Sequence, residues 1–216
     1  MRRRLSLIAL VLFAVTACSR HGALDDGSTP EALWSTNEAR ALAVTQWNLY
    51  ARGALSLEGE AYNLGIRWRR EADDRFMMLL EAPFGQGVLR VNADGDGVYR
   101  LRLPDGREFE NTSAEALLED VVGWSLPISG LDYWVRGLRD PRSDSSYLLY
   151  PEGRLRSIRQ SGWDIRYLDY FDEAADEPLP RRFSLSNDDL TLKLVIEHWQ
   201  PPAVTASDTE LFPSFD

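Results

Sequence analysis

The sequence predicts a mainly β fold: one curved antiparallel sheet of eleven strands covered by three helices. Three observations predict it. Apolar and polar residues alternate with period two over most of the stretch from Trp47 to Trp199, Gly- and Asp-containing turns punctuate that alternation, and helical spacing interrupts it only near the start and in one mid-chain insertion.

Taken in order, Thr29-Pro30 offers an N-cap followed by proline at the first helical position. Leu33, Trp34, Ala41 and Val44 then recur at helical spacing to about Gln46. From Trp47 the period changes to two. Tyr62, Leu64, Ile66 and Trp68 alternate with Asn63, Gly65, Arg67 and Arg69, as in a strand with one buried and one wet face. Leu55 and Leu57, then Phe76, Met78 and Leu80, then Leu89 and Val91, then Tyr99, Leu101 and Leu103 supply further apolar faces. Turns fall at Glu58-Gly59, Ala72-Asp73-Asp74, Asp94-Gly95-Asp96-Gly97 and Pro104-Asp105-Gly106, and the first half reads as an antiparallel meander of six strands.

Two helical signals follow. Thr112 with Glu115 forms a capping box before Leu117, Leu118, Val121 and Val122, and Ser129 with Asp132 caps a second helix carrying Leu131, Trp134, Val135 and Leu138. Strands resume over residues 147–150, 155–160, 163–171, 182–187 and 190–199, bringing the count to eleven. Helices placed this way have only the sheet to bury their apolar faces against, so sheet and cover enclose either a cavity or a solid core.

The ends carry their own signals. Arg2, Arg3 and Arg4 before the apolar run from Leu5 to Val15 have the form of a secretory signal, residues 1–17, too short to span a bilayer at roughly 20 residues. Val15-Thr16-Ala17-Cys18 resembles a bacterial lipobox, whose cysteine takes a diacylglycerol and an N-acyl chain; the alternative is a thiol lying beyond an ordinary cleavage site. Cys18 is the sole cysteine, so an exported body is held by its core and not by disulfides. Residues 18–29 read as a polar tether reaching about 35 Å, residues 30–200 as one domain, and residues 201–216 as a flexible acidic tail.

Of 24 basic residues, Arg2, Arg3 and Arg4 leave with the signal; 21 remain against 34 acidic, a charge of −13. Nucleic acid is a poor partner for such a chain. Chemistry is sparse: only His21 and His198 are present, the latter placed by alternation on the Leu194/Ile196 face. The carboxylate groups Glu71, Asp73 and Asp74 and Asp172, Glu173, Asp176 and Glu177 read as solvated turn charges, and the Asp94–Gly97 run lacks EF-hand spacing. No catalytic set, metal site or cofactor other than the acyl chains on Cys18 is expected. What remains is apolar surface, with seven Trp, eight Tyr and eight Phe.

Tyr50-Ala51-Arg52-Gly53-Ala54-Leu55, the stretch from Arg75 through Pro83-Phe84-Gly85, and Trp134-Val135-Arg136-Gly137-Leu138 resemble the LolB family of outer-membrane lipoprotein receptors. The resemblance implies an incomplete eleven-stranded antiparallel β-barrel, lidded by helices, whose apolar cavity takes acyl chains of lipoproteins from the periplasmic carrier LolA. Such a protein acts as a monomer on the periplasmic face of the outer membrane and inserts its cargo into the inner leaflet. Cavity candidates are Leu64, Ile66, Phe76 and Met78 from the strands and Leu131 and Trp134 from the lid. Pro83, Phe84 and Gly85 match a protruding membrane-insertion loop, where Phe84 stands in place of the family's Leu; on pattern alone the same residues suit a turn whose Phe folds into the core. The competing expectation is another envelope lipoprotein with a solid interior, binding protein through its surface.

Overall fold

The computed structural model describes residues 29–81, 87–171 and 179–200. Among them a helix, α1 (Pro30–Ala43), leads into six strands: β1 (Trp47–Leu57), β2 (Glu60–Arg70), β3 (Arg75–Glu81), β4 (Val88–Asp94), β5 (Tyr99–Arg102) and β6 (Glu108–Asn111). Helices α2 (Ala114–Val122) and α3 (Ile128–Trp134) follow, then β7 (Ser145–Leu149), β8 (Leu155–Gln160), β9 (Trp163–Tyr170), β10 (Pro180–Ser186) and β11 (Leu190–Gln200). All strands join one antiparallel sheet in the order β6-β5-β4-β3-β2-β1-β11-β10-β9-β8-β7. The first and last strands of the chain meet at the centre, and β6 and β7 are left as unjoined edges of an open half-barrel.

The alternation decides which face is concave. Leu49, Trp68, Met78, Val91, Leu101 and Phe109 lie side by side across β1 to β6, and Leu55, Leu192, Leu185, Ile165, Ile158 and Tyr147 do so across β1 to β7. Every apolar strand face expected from sequence falls on this inner side. Glu58 and Gly59 both take positive φ, the requirement of a two-residue hairpin that follows the strand twist, and Ser161-Gly162 repeats the device.

A bulge corrects the expectation for His198. The β1–β11 register shifts between Tyr50/His198 and Ala51/Ile196, so Glu197 is the extra residue. One added residue flips everything beyond it to the other face. His198 therefore lies exposed on the outer surface beside Tyr50, and Trp199 turns inward against Trp47 with ring centroids 5.4 Å apart.

The helix ends depart from the expected caps in ways the contacts explain. Helix α1 is capped by Thr29, whose hydroxyl accepts from the Ala32 N–H, but it stops at Ala43 because Val44 is already extended. Helix α2 is capped one residue later than expected, by Ser113 accepting from the Ala116 N–H. Glu115 is thereby freed from a capping box: one carboxylate oxygen accepts from the Ser113 hydroxyl and the other from the Ser129 backbone N–H at 2.8 Å, tying α2 to α3. That bond replaces the side-chain cap expected of Ser129, and α3 begins at Ile128 behind Pro127, which supplies no capping side chain. Asp132 is drawn elsewhere, as described below.

The lid is seated by close approaches. At Gly153, with φ +68°, a Cβ would lie 2.4 Å from Leu33 Cβ and 2.6 Å from Trp34 N, so α1 rests directly on the β7–β8 turn. Asn37 donates to the Glu152 and Gly153 carbonyls across the same contact.

Candidate functional site

Between the inner face of β2–β5 and helix α3 lies a cavity of about 420 Å³. Its apolar wall comes from alternate strand positions Trp68, Phe76, Ala93 and Tyr99, with Val98 beside them and Ile128 from α3. Aromatic rings continue that wall as a ladder: Trp199–Trp47 at 5.4 Å, Trp47–Trp68 at 5.0 Å, Trp68–Phe76 at 6.0 Å and Phe76–Tyr99 at 6.0 Å. The Trp68 indole N–H is buried without a hydrogen-bond partner among the described residues.

The opposite wall is charged. Arg70 continues the inward register of Leu64, Ile66 and Trp68 to the end of β2, where it meets Asp132 of α3 at 3.3 Å and Asp74 at 2.7 Å. Arg136 approaches Asp132 from one helical turn further on, at 3.6 Å, and donates to the Val44 carbonyl just beyond α1. Burial pushes the Asp132 carboxyl above its ordinary value, outweighing the attraction of Arg70 and Arg136, and the same burial lowers the Arg136 guanidinium. Arg142 also borders the space. It forms a fork on Asp140 with two contacts of 2.8 Å and donates to the Ser129 carbonyl.

The far side of the lid is held differently. The Gln160 side-chain oxygen accepts from Trp134 Nε1 at 2.9 Å and from the Asp140 N–H at 3.0 Å, while its amide donates to the Asp140 and Ser143 carbonyls. The Tyr167 hydroxyl donates to the Trp134 carbonyl. All of these neutral bonds but the half-buried one to Ser143 are buried, and they fix the C-terminal end of α3 to β8 and β9.

All six cavity candidates face the enclosed interior, but only Phe76 borders the 420 Å³ space. Leu64, Ile66, Met78, Leu131 and Trp134 are packed into the continuous core, the last at 1% exposure. Trp68, Arg70, Tyr99, Asp132, Tyr133 and Arg142 line the space instead. Arg70 and Tyr99 were findable, since each occupies an inward position of its strand. Cys18, Pro83, Phe84 and Gly85 lie outside the described residues, as do residues 172–178 and the acidic tail. Among the described residues no three His, Cys, Asp or Glu side chains converge as a metal site.

A single sheet curled round an apolar interior, with helices across its opening and a cavity beneath them, defines a lidded half-barrel fold. The chain belongs to the LolB family: residues 45–199 match the model described as outer membrane lipoprotein LolB. The family is one of lipoproteins and not of enzymes. The outer-membrane lipoprotein LolB of Nitrosococcus oceani is 36% identical, with 91% of this chain and 97% of that protein covered. That of Pseudomonas putida KT2440 is 33% identical over 91% and 93%. Among solved structures, a LolA superfamily protein from Nitrosomonas europaea superposes with a TM-score of 0.50 at 7% identity, covering 82% of this chain and 96% of that one. A putative outer membrane lipoprotein-sorting protein domain from Vibrio parahaemolyticus also gives 0.50, at 10% identity over 84% and 95%. At such identity the two structures share the fold alone.

Proposed function

We propose that this protein accepts lipoproteins from the periplasmic carrier LolA by their acyl chains and inserts them into the inner leaflet of the outer membrane, where its own lipidated Cys18 anchors it on the periplasmic face. The observation that carries the reading is the 420 Å³ cavity between an aromatic sheet wall and α3, in a chain of the LolB family. Its size lies within the roughly 300–1,000 Å³ of ligand sites. Each acyl methylene moved out of water contributes about 0.8 kcal/mol, so an apolar wall suffices to hold the cargo and neither cofactor nor nucleotide is required.

Delivery is assigned to Phe84, flanked by Pro83 and Gly85. An exposed Phe forgoes roughly 1.5–3 kcal/mol of burial, which entry into the membrane interface restores. The test is passage of a labelled lipoprotein from LolA to this protein and on to liposomes, with thermal melts alongside. Phe84→Glu is expected to load normally and to retain its cargo, because a carboxylate resists transfer into an apolar phase; Phe84→Leu is expected to deliver. Wild-type delivery by Phe84→Glu would refute the assignment, and a much lower melting temperature would make Phe84 a core residue. Incorporation of labelled palmitate into wild type but not Cys18→Ala tests the anchor.

A further inference from the structure

A second feature lies on the outer face of the sheet, away from the cavity. Arg90 of β4 and Arg102 of β5 are direct cross-strand partners, both at outward positions of the ladder. Side chains so placed have Cβ atoms about 5 Å apart, and like charges directly opposite one another destabilise a sheet. Beside them is a groove of about 360 Å³ whose other borders are Gly87, Val88, Leu103, Pro104 and Gly106. Gly87, at φ +104°, touches Pro104 so closely that a Cβ would fall 2.3 Å from the ring, so Gly87 just ahead of β4 and Pro104 of the β5–β6 turn meet along one rim. Two guanidiniums thus meet an apolar edge in a chain whose formal charge is −10.

We infer that this groove binds the phosphodiester of an anionic glycerophospholipid, one whose headgroup adds no cation to oppose the two guanidiniums. Both arginines also engage the protein's own groups, Arg102 approaching the exposed Glu108 at 3.8 Å. A guanidinium carries five donors, however, and a planar fork suited to two phosphate oxygens. An anion between Arg90 and Arg102 relieves their repulsion, and Val88, Leu103 and Pro104 offer the glycerol and upper acyl carbons an apolar seat. Inorganic phosphate would use the guanidiniums and leave that seat empty. The excess negative charge elsewhere does not cancel the site, because screening confines its repulsion to roughly 8–10 Å.

The inference stands apart from cargo transfer and is tested without it. The exported chain carrying Cys18→Ala, free of its own anchor, is mixed with vesicles of phosphatidylcholine alone or with added phosphatidylglycerol, and the bound fraction is measured by flotation. Wild type should prefer the anionic vesicles. Arg90→Gln/Arg102→Gln should lower that partition by about twenty-fivefold, two arginines each contributing about fivefold at an anionic leaflet. Arg159→Gln/Arg166→Gln removes the same charge from the outer face of β8 and β9 and should leave the partition within about twofold of wild type. Arg90→Lys/Arg102→Lys keeps the charge, guards against a folding defect in the neutral variant, and should fall between. Equal loss in the Arg159/Arg166 variant, absence of any preference for phosphatidylglycerol, or displacement by millimolar inorganic phosphate would each overturn the inference.

Discussion

Replacing Gln160 by Leu tests how the lid is anchored. Gln160 is 2% exposed and makes four hydrogen bonds, to Trp134 Nε1, the Asp140 N–H, the Asp140 carbonyl and the Ser143 carbonyl. Leucine fills nearly the same space but leaves two donors and two acceptors without their partner. A buried donor left unsatisfied costs about 1–3 kcal/mol, whereas each carbonyl keeps a second lone pair and Ser143 stands near solvent, so its share is smaller. The two donors therefore set a loss of about 2–6 kcal/mol, from which the extra apolar burial of Leu subtracts about 1 kcal/mol. The expected destabilisation is about 3 kcal/mol by equilibrium urea unfolding with an unchanged m-value. Trp134→Phe keeps an aromatic side chain but removes the indole donor and part of its volume; the volume term cancels in the cycle, so the Gln160→Leu/Trp134→Phe pair should be less destabilised than the sum of its parts by about 1 kcal/mol. A Gln160→Leu loss below about 1 kcal/mol, or strict additivity in that cycle, would refute the view that Gln160 anchors α3.

Folding raises the Asp132 carboxyl, so the protonated form is the one the fold favours: its contribution is complete below the ordinary value of 3.8 and is lost as pH climbs through the folded value. Stability of wild type relative to Asp132→Asn should therefore fall as pH rises from about 4, and a constant difference in urea midpoints would be the contrary result. For Asp140, burial pushes upward but the side-chain and backbone bonds to Arg142 outweigh it and hold the carboxyl below 3.8. Its contribution is present above that value and lost as pH falls through the lowered one, so Asp140→Asn should flatten the acid limb of an unfolding titration. Gly153→Ala should cost at least about 1–3 kcal/mol, combining positive φ with collision against α1. Gly59→Ala, where φ is +85° and nothing stands within 4 Å, should cost only the conformational part, so equal melting temperatures for the two would sink the argument from α1 contact.

Most of the sheet was legible because burial on one face leaves a period-two record. Tyr62 to Trp68 and Leu190 to Ile196 announce their strands, and their inward faces coincide with those expected. Strand β6 left almost no record, since its four residues contain one apolar side chain, Phe109. The caps of α2 and α3 misled for a different reason. A capping box is a local pattern, and Glu115 instead satisfies a backbone N–H fourteen residues away. Likewise His198 follows the alternation until the bulge at Glu197, and a bulge whose extra residue is an ordinary Glu has no marker in the sequence.

The site was harder to read because the apolar pattern that marks the interior does not distinguish packed core from open cavity. Leu64, Ile66 and Met78 satisfy the pattern and one another, so they fill the barrel; the space opens where the pattern is broken. Arg70 stands at the next inward position after Trp68, and a guanidinium there can neither pack as Leu would nor remain unpaired. It requires Asp132 opposite, holds α3 at ion-pair distance from the sheet, and leaves the aromatic rings of Trp68, Phe76 and Tyr99 bordering a gap. The two margins of α3 consequently differ in kind. Toward β2 the tie is ionic and beside a cavity, while toward β8 and β9 it is a set of buried neutral hydrogen bonds.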